Sequence, residues 1–328
     1  MAENIRVATF NVENLDDKQE QTPSLDERIT IMKPQLIRLD ADILCLQEVH
    51  GQETPGEPRR LLALNKLLEN TPYADYNQIS TMTAGGDQVY DVRNLVILSR
   101  FEIPEHSQYR HEHIPAPYYQ KVMSVPAEDE AKRVTWERPI LYAKISLPDN
   151  KTIHAINLHL KSRIPTNIDG QKINNYTWRT ASGWAEGYFI SSMKRVGQAL
   201  ETRILVDRIF DEDEQAFIVV CGDFNSTSDN VPVQAIRGDV ENTGNGDLAS
   251  RVLVPCEQTI PEPSRYSLIH QGRGEMIDHL LVSRQLLAYY KHTEIHNEIL
   301  HDESIAFATD KKYPESDHAP VIAEFNFP

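Results

Sequence analysis

The apolar run Phe217-Ile218-Val219-Val220-Cys221 passes directly into Gly222-Asp223-Phe224-Asn225, and much of the chain repeats that design. A run rich in Val and Ile predicts a strand buried on both faces. Beyond it, Asp223 and Asn225 stand two residues apart, so extended backbone puts both side chains on one face. Gly, Asp and Asn are also turn residues, and alone this stretch reads equally well as an Asx turn closing a strand. Looser alternation from Ile5 to Phe10 predicts a strand ending in Asn11-Val12-Glu13-Asn14. Another runs from Asp42 to Gln47 and lands on Glu48. Ser24-Leu25-Asp26-Glu27 is a capping box opening a helix through Ile29, Met32, Leu36 and Leu39, with Pro34 expected to kink or restart it. Pro58 is expected to open a second helix carrying Leu61, Leu64, Leu67 and Leu68.

Asn94 to Ser99 predicts a strand, and Arg100 to Lys121 reads as a loop rich in His and Pro. Ile140 to Leu147 and Thr152 to Leu160 predict a hairpin across Pro148-Asp149-Asn150-Lys151. Lys161 to Gly187 reads as a long loop, a kind more often functional than idle. An amphipathic helix follows from Ser192 to Phe210, and strands run from Met276 to Val282 and from Ala319 to Phe325. Helices alternate with strands while hairpin signals intervene, so the sheets are expected to be mixed, within one domain spanning 1–328.

Composition narrows the function. At 40% hydrophobic and 25% charged, the chain has no disordered character. Cys45, Cys221 and Cys256 form no disulfide or CxxC pattern and read as buried thiols. No apolar run approaches the ~20 residues of a membrane span, and Met1-Ala2-Glu3-Asn4 has no signal-like character, so a cytoplasmic monomer is expected. A net charge of −16, from 33 basic and 49 acidic residues, argues against a high-affinity duplex-binding module. It permits an enzyme that meets a polyanion through a metal ion and a local basic patch.

Strand ends carry the candidate chemistry: Asn11 with Glu13, Gln47-Glu48, Asn157-Leu158-His159, Asp223-Phe224-Asn225, Asp278-His279, and Ser316-Asp317-His318 before the last strand. Polar groups at the mouths of buried strands face the crevice where layered sheets bind ligands. The set suits metal-assisted phosphoester hydrolysis. Glu48, with Asn11 and Asp317, offers the hard oxygen donors that Mg²⁺ or Mn²⁺ takes, and no Cys/His spacing suits zinc. Asp223 and Asn225 can activate and orient a water. His159 and His318, if protonated, can donate to the phosphoryl oxygens along with Asn225, and Asp278 can keep His318 charged. Taken singly, each residue has an ordinary structural reading.

In order, Thr9-Phe10-Asn11-Val12-Glu13-Asn14-Leu15, Leu46-Gln47-Glu48-Val49, Asn157-Leu158-His159-Leu160-Lys161-Ser162, Gly222-Asp223-Phe224-Asn225, Ile277-Asp278-His279 and Ser316-Asp317-His318-Ala319-Pro320 resemble the endonuclease/exonuclease/phosphatase superfamily. The resemblance implies an α/β four-layer sandwich, two mixed sheets packed face to face with helices outside, and Mg²⁺- or Mn²⁺-dependent phosphoester cleavage. It implies metal-side roles for Asn11 and Glu48, a catalytic role for His159, a water-orienting pair in Asp223 and Asn225, and support of the Asp317-His318 dyad by Asp278. Glu13 stands where some members have Asp. The deoxyribonuclease branch supports its first histidine with a Glu before the middle strand, whereas this chain has Asp91-Val92-Arg93-Asn94.

The substrate is expected to be nucleic acid, with a small phosphoester (an inositol phosphate, nucleotide or phospholipid headgroup) as the alternative. A catalytically silent binding module is disfavoured, because every cluster keeps its ionisable residues. Arg93, Lys161 and Arg163 are candidate substrate contacts, although Arg93 also reads as the partner of an acidic residue. Tyr176, Trp178, Trp184 and Tyr188 interleave with Lys172, Arg179, Lys194 and Arg195, and either stack on unpaired bases or pack the loop onto the body. His106, His111 and His113 read as a solvated face.

Overall fold

In the computed structural model, which describes residues 3–309 and 311–327, the apolar runs form two six-stranded sheets. Met1 and Ala2 lie outside the described residues. The first sheet begins with β1 (Glu3–Leu15), β2 (Ile43–Val49), β3 (Asn77–Ser80) and β4 (Asn94–Ser99). The second holds β5 (Glu105–Tyr109), β6 (Ile140–Ser146), β7 (Thr152–His159), β8 (Phe217–Asp223), β9 (Leu253–Pro255) and β10 (Asp278–Ser283). The chain then returns to the first sheet as β11 (Tyr290–Ile295) and β12 (Val321–Phe327). The strand orders are β11-β12-β1-β2-β4-β3 and β9-β10-β8-β7-β6-β5.

Each sheet has one parallel pair, β1 with β2 and β7 with β8, among otherwise antiparallel neighbours. A parallel pair needs a long crossover, and a helix supplies each. α1 (Leu25–Leu39) joins β1 to β2, and α2 (Leu62–Leu68) packs on the same side. α3 (Ala181–Glu212) joins β7 to β8 and packs with α4 (Val231–Arg237). Alternate residues of one strand therefore face different cores. Val219 and Cys221 meet Val7, Cys45 and Ile97 between the sheets, while Ile218 and Val220 meet Val206 and Phe210 of α3. Ala8 and Phe10 face Leu36 and Leu64 on the other outer side. Three apolar interfaces make four layers, as expected, and explain why the strands read as continuous apolar runs.

Local expectations were corrected in four places. Pro58 opens no helix: Glu57–Arg60 pairs with Gln52–Thr54 as a small ribbon, where a residue without N–H is tolerated, and α2 begins at Leu62. α1 runs through Pro34 without interruption. The segment expected to be a loop from Arg100 contains β5, the edge strand beside β6. Finally, α3 begins at Ala181, where Thr180 caps the Gly183 N–H at 3.0 Å, so its first turns lie in the segment expected to be loop. The solvated face expected of His106, His111 and His113 holds for His106 alone: His111 and His113 are half-buried, their rings tilted against Trp136 and Tyr109.

Candidate active site

The two parallel pairs end at one mouth. Asn11 stands beside Gln47 in register at the end of the first pair, and His159 beside Asp223 at the end of the second. Register slips between Asn11 and Leu15 in β1, and between Leu46 and Val49 in β2, bulge the strands there. Bulges re-aim side chains beside a site. Backbone strain gathers at the same mouth: Glu13, Asn14, Glu48, Arg93 and Asn225 all have φ between 45° and 62°. Such values are uncommon for residues other than Gly and persist only where surroundings impose them. Asn157 fixes one sheet to the other below this mouth. Its Nδ2 donates to the carbonyls of Leu46 and Val96 at 3.0 and 2.9 Å, and its Oδ1 accepts from Gln47 at 2.7 Å.

Side chains from both sheets converge. His318 Nδ1 meets Asp278 Oδ2 at 2.7 Å, and its Nε2 lies 4.0 Å from Asp223 and 3.9 Å from Asp317. His159 Nε2 lies 3.3 Å from Asp223 Oδ2 and 3.5 Å from Glu48 Oε1. Both neighbours are acceptors, which suits the tautomer protonated on Nε2. Its Nδ1 is buried without a partner, so among the described residues no carboxylate backs His159. Asn11 Nδ2 donates to Asp223 Oδ2 at 3.2 Å. Asn225 spends both amide protons, on Asp223 Oδ2 and on the Leu160 carbonyl, each at 3.1 Å. It thus orients Asp223 and has no free amide proton for the substrate. Glu48 Oε2 accepts from the Asn14 N–H at 3.0 Å, and Asp317 donates its N–H to Glu13 Oε2 at 3.1 Å.

The candidate cations are less free than expected. Arg93 Nε stands 3.9 Å from Glu48 Oε1, which favours its reading as the partner of an acid. Lys161 donates to Ser162 and Ile164, and Arg163 is paired with Glu275. Beside them lies an open trench of about 400 Å³ lined by Arg163, Ile164, Asn225, His270, Glu303 and His318.

Three buried arginines hold the loops that carry the site; the sequence reading names neither Arg28 nor Arg138, and Arg195 only as a cation among the loop aromatics. Arg28 donates to the carbonyls of Val12, Glu13 and Asn14. Arg138 donates to those of His159 and Leu160, and Arg195 to those of Lys161 and Ser162. Arg28 had a signal, since it falls on the apolar stripe of Leu25, Met32, Leu36 and Leu39. A charge on such a stripe must find partners. Arg138 had none. A second buried pair braces the opposite side: His279 Nδ1 meets Glu257 at 2.6 Å and its Nε2 donates to the Ser226 carbonyl at 2.8 Å.

Burial pushes the Asp223 carboxyl up to about 7, with Asp278 and Glu48 adding to the rise against the charge of His318. Burial also raises Glu13 and Asp317, the latter well above the usual carboxylate range. Burial opposes charge on both histidines, with opposite outcomes. At His318 the carboxylates of Asp278, Asp223 and Asp317 overcome it and hold the imidazole well above its ordinary value, so it is charged. At His159 burial is reinforced by Arg138 and Arg93 and the ring stays neutral, contrary to the expectation of a charged donor.

Glu13, Glu48, Asp223, Asp278 and Asp317 outnumber the positive groups near them, and Oδ1 of both Asp278 and Asp317 is buried without a partner. A set of hard oxygens with raised carboxyls fits a divalent cation. Asp223, Asp278 and His318 also lie close enough to share an ion. Asp278, however, is engaged with the His318 imidazole, and a charged imidazole offers no lone pair to a metal. Glu48, Asn11 and Asp317 are further oxygen donors at the same mouth, and Asn11 Oδ1 accepts from the Glu13 N–H at 3.0 Å.

The family model for the endonuclease/exonuclease/phosphatase family matches residues 8–318. The chain belongs to that family. Members of the endonuclease/exonuclease/phosphatase family are phosphoester hydrolases that depend on a divalent metal, and this member has their two mixed sheets and flanking helices. Among solved structures it resembles a family protein from Bacteroides thetaiotaomicron at 16% identity and a TM-score of 0.61, covering 100% of this chain and 96% of the other. Truncated TDP2 from Caenorhabditis elegans aligns at 16% identity and 0.57, over 99% and 98%. A mannosyl-6-phosphatase from Bacteroides thetaiotaomicron aligns at 15% identity and 0.57, over 97% and 98%. No curated protein matches the chain in sequence. Among the described residues no helix is long and apolar enough to cross a membrane.

Proposed function

We propose that this member is a metal-dependent phosphodiesterase that cleaves nucleic acid by attack of water on phosphorus. The observation that carries the reading is the meeting of His159, Asp223, Glu48 and the His318–Asp278 pair from both sheets at the end of one open trench. Asp223, with its carboxyl near neutrality and oriented by Asn225 and Asn11, takes the proton of the attacking water. His318, kept charged by Asp278, donates to the phosphoryl oxygen on which charge accumulates, while the P–O bond to the leaving strand breaks and its oxygen takes a proton from solvent. Neutral His159 presents its Nε2 beside Asp223 and Glu48. Glu48, with Asn11 and Asp317, would hold Mg²⁺ or Mn²⁺, which when bound draws charge from the phosphoryl oxygens. An open trench suits an extended chain. The pairing of Arg163 with Glu275 and of His270 with Glu303 leaves few free cations there, and this observation favours the alternative of a small phosphoester over a long polyanion.

Plasmid and a short single strand are incubated with Mg²⁺, with Mn²⁺ and with EDTA, beside a panel of phosphomonoesters. Nucleic-acid cleavage abolished by EDTA, and lowered at least ~100-fold in His159→Ala, Asp223→Ala and His318→Ala, is expected. Inert nucleic acid with a turned-over monoester would move the protein to the phosphatase reading, and full activity in all three variants would overturn the site.

A further inference from the structure

Among the described residues the exposed aromatic side chains are Tyr118, Tyr176, Trp184, Tyr188 and Phe189, four of them on the flank formed by 176–189, where Phe189 meets the ring of Tyr119. Tyr176 is 83% exposed, at the tip of a turn closed by the bridge between Lys172 and Trp178. Trp184 and Tyr188, one turn apart on α3, stack with centroids 5.5 Å apart and planes 18° apart. Packing the loop onto the body would have covered these rings, so that purpose does not account for them. The flank is joined to the trench. Ile164, which lines the trench, has its carbonyl bound by Ser191 of α3, and the next turn of loop touches the helix, with Thr166 N–H on the Gly187 carbonyl at 2.9 Å. A Cβ on Gly187 would stand 2.3 Å from the Thr166 carbonyl oxygen, so only glycine permits this approach.

Between 161 and 195 stand Lys161, Arg163, Lys172, Arg179, Lys194 and Arg195 against Asp169 and Glu186, in a chain of net charge −16. Arg163 is paired with Glu275, Lys194 with Glu137, and Arg195 is turned to backbone carbonyls, so Lys172 and Arg179 are the cations beside the rings that no carboxylate engages among the described residues. Glu186 is buried, its carboxylate accepting from Tyr119 O–H and the Val122 and Met123 N–H groups. Lys172 Nζ lies 4.9 Å from the Trp178 ring centroid. Flat rings interleaved with cations bind unpaired bases and their phosphates without reading sequence. From Trp184 to Ser191 the helix rises about 10 Å at ~1.5 Å per residue, the length of about three stacked nucleotides.

We propose that this aromatic ledge, built from Tyr176, Trp184 and Tyr188 with Lys172 and Arg179, binds the unpaired bases of a single-stranded nucleic acid whose phosphate lies in the trench. The proposal rests on the nucleic-acid reading of the site and deepens it. The experiment measures anisotropy of a labelled twelve-residue oligothymidylate, and of the same length as duplex, with full-length protein in EDTA. Preference for the single strand, quenching of tryptophan fluorescence on binding, and ~10- to 100-fold weaker binding by Trp184→Ala and by Tyr176→Ala are expected, with Trp184→Phe retaining affinity. Tyr176 is exposed enough that its replacement tests the ledge even if Trp184→Ala folds poorly.

Cleavage of DNA by a protein whose ledge variants bind the strand like wild type would overturn the ledge and leave the nuclease reading standing. Binding of the strand with those losses, but no cleavage under any metal, would uphold the ledge and overturn the nuclease reading. Indifference to the strand together with adsorption to phosphatidylcholine vesicles, lost in Tyr176→Ala, would overturn the proposal in favour of a lipid surface.

Discussion

Replacing Asn157 with alanine removes three hydrogen bonds between the sheets, of 3.0 Å to Leu46, 2.9 Å to Val96 and 2.7 Å from Gln47. Each such bond contributes ~1 kcal/mol net. Gln47 keeps Thr9 and the Cys45 carbonyl as acceptors, so its amide is not stranded. The carbonyls of Leu46 and Val96 lose a donor in the dry space between two sheets, and the missing carboxamide leaves a void. A loss of about 3–5 kcal/mol follows, a large share of the ~5–15 kcal/mol that holds a folded protein. Urea unfolding followed by circular dichroism should show a lower midpoint at unchanged slope. Asn157→Asp should be at least as damaging, because a carboxylate cannot donate to either carbonyl. A loss below ~1 kcal/mol for alanine, or a stable aspartate variant, would refute the idea that this side chain ties the sheets together. Phosphoester turnover should fall with stability, since Asn157 sits two residues before His159 on β7.

Three further outcomes are expected. Gly222→Ala should unfold the protein or leave it inactive: at φ 136° its new Cβ would meet the Leu158 carbonyl oxygen at 2.0 Å, and thermal melting with turnover would show it. Glu257→Gln strands the buried His279 imidazolium, which burial opposes and Glu257 sustains, and should lower stability by ~3–5 kcal/mol in urea. Burial, with Lys144 across the strand pair, lowers His154 to about 4, while Tyr142 O–H donates to its Nδ1. Between about 6.5 and about 4 the unfolded chain takes up a proton that the folded chain refuses. Stability is therefore full above that window and declines by ~1–3 kcal/mol as pH falls through it. His154→Gln should flatten this decline in melts taken from pH 7 to pH 4.

The layered fold was legible because runs such as Phe217 to Cys221 leave no polar face, and only sheets covered on both sides accept them. The ends of the strands pointed to the site because polar and ionisable residues gather there, as at Gln47-Glu48, Asn157-Leu158-His159 and Asp223-Phe224-Asn225. What stayed illegible depends on backbone angles and long-range partners. Nothing in Gln47-Glu48-Val49 announces a bulge with Glu48 at φ 62°, and nothing near Arg138 announces the carbonyls of His159 and Leu160. Pro58 misled because proline begins helices and tolerates ribbon edges equally, and tertiary pairing decided between them. The protonation of the two histidines was equally hidden. His159 and His318 have the same side chain, and only the arginines near one and the carboxylates near the other separate them.

The buried arginines also bear on how so acidic a molecule can admit an anion. Every strand that delivers a candidate catalytic group to the mouth must also deliver its last peptide carbonyls there, and each is the negative end of a dipole. Arg28, Arg138 and Arg195 take up the carbonyls from Val12 to Asn14 and from His159 to Ser162, drawing them back into the protein wall. The lining that remains in front of an arriving phosphate is then set by side chains alone. A protein can thus keep the repulsive exterior that discourages loose adhesion to polyanions and still withhold these peptide dipoles from an anion at one address.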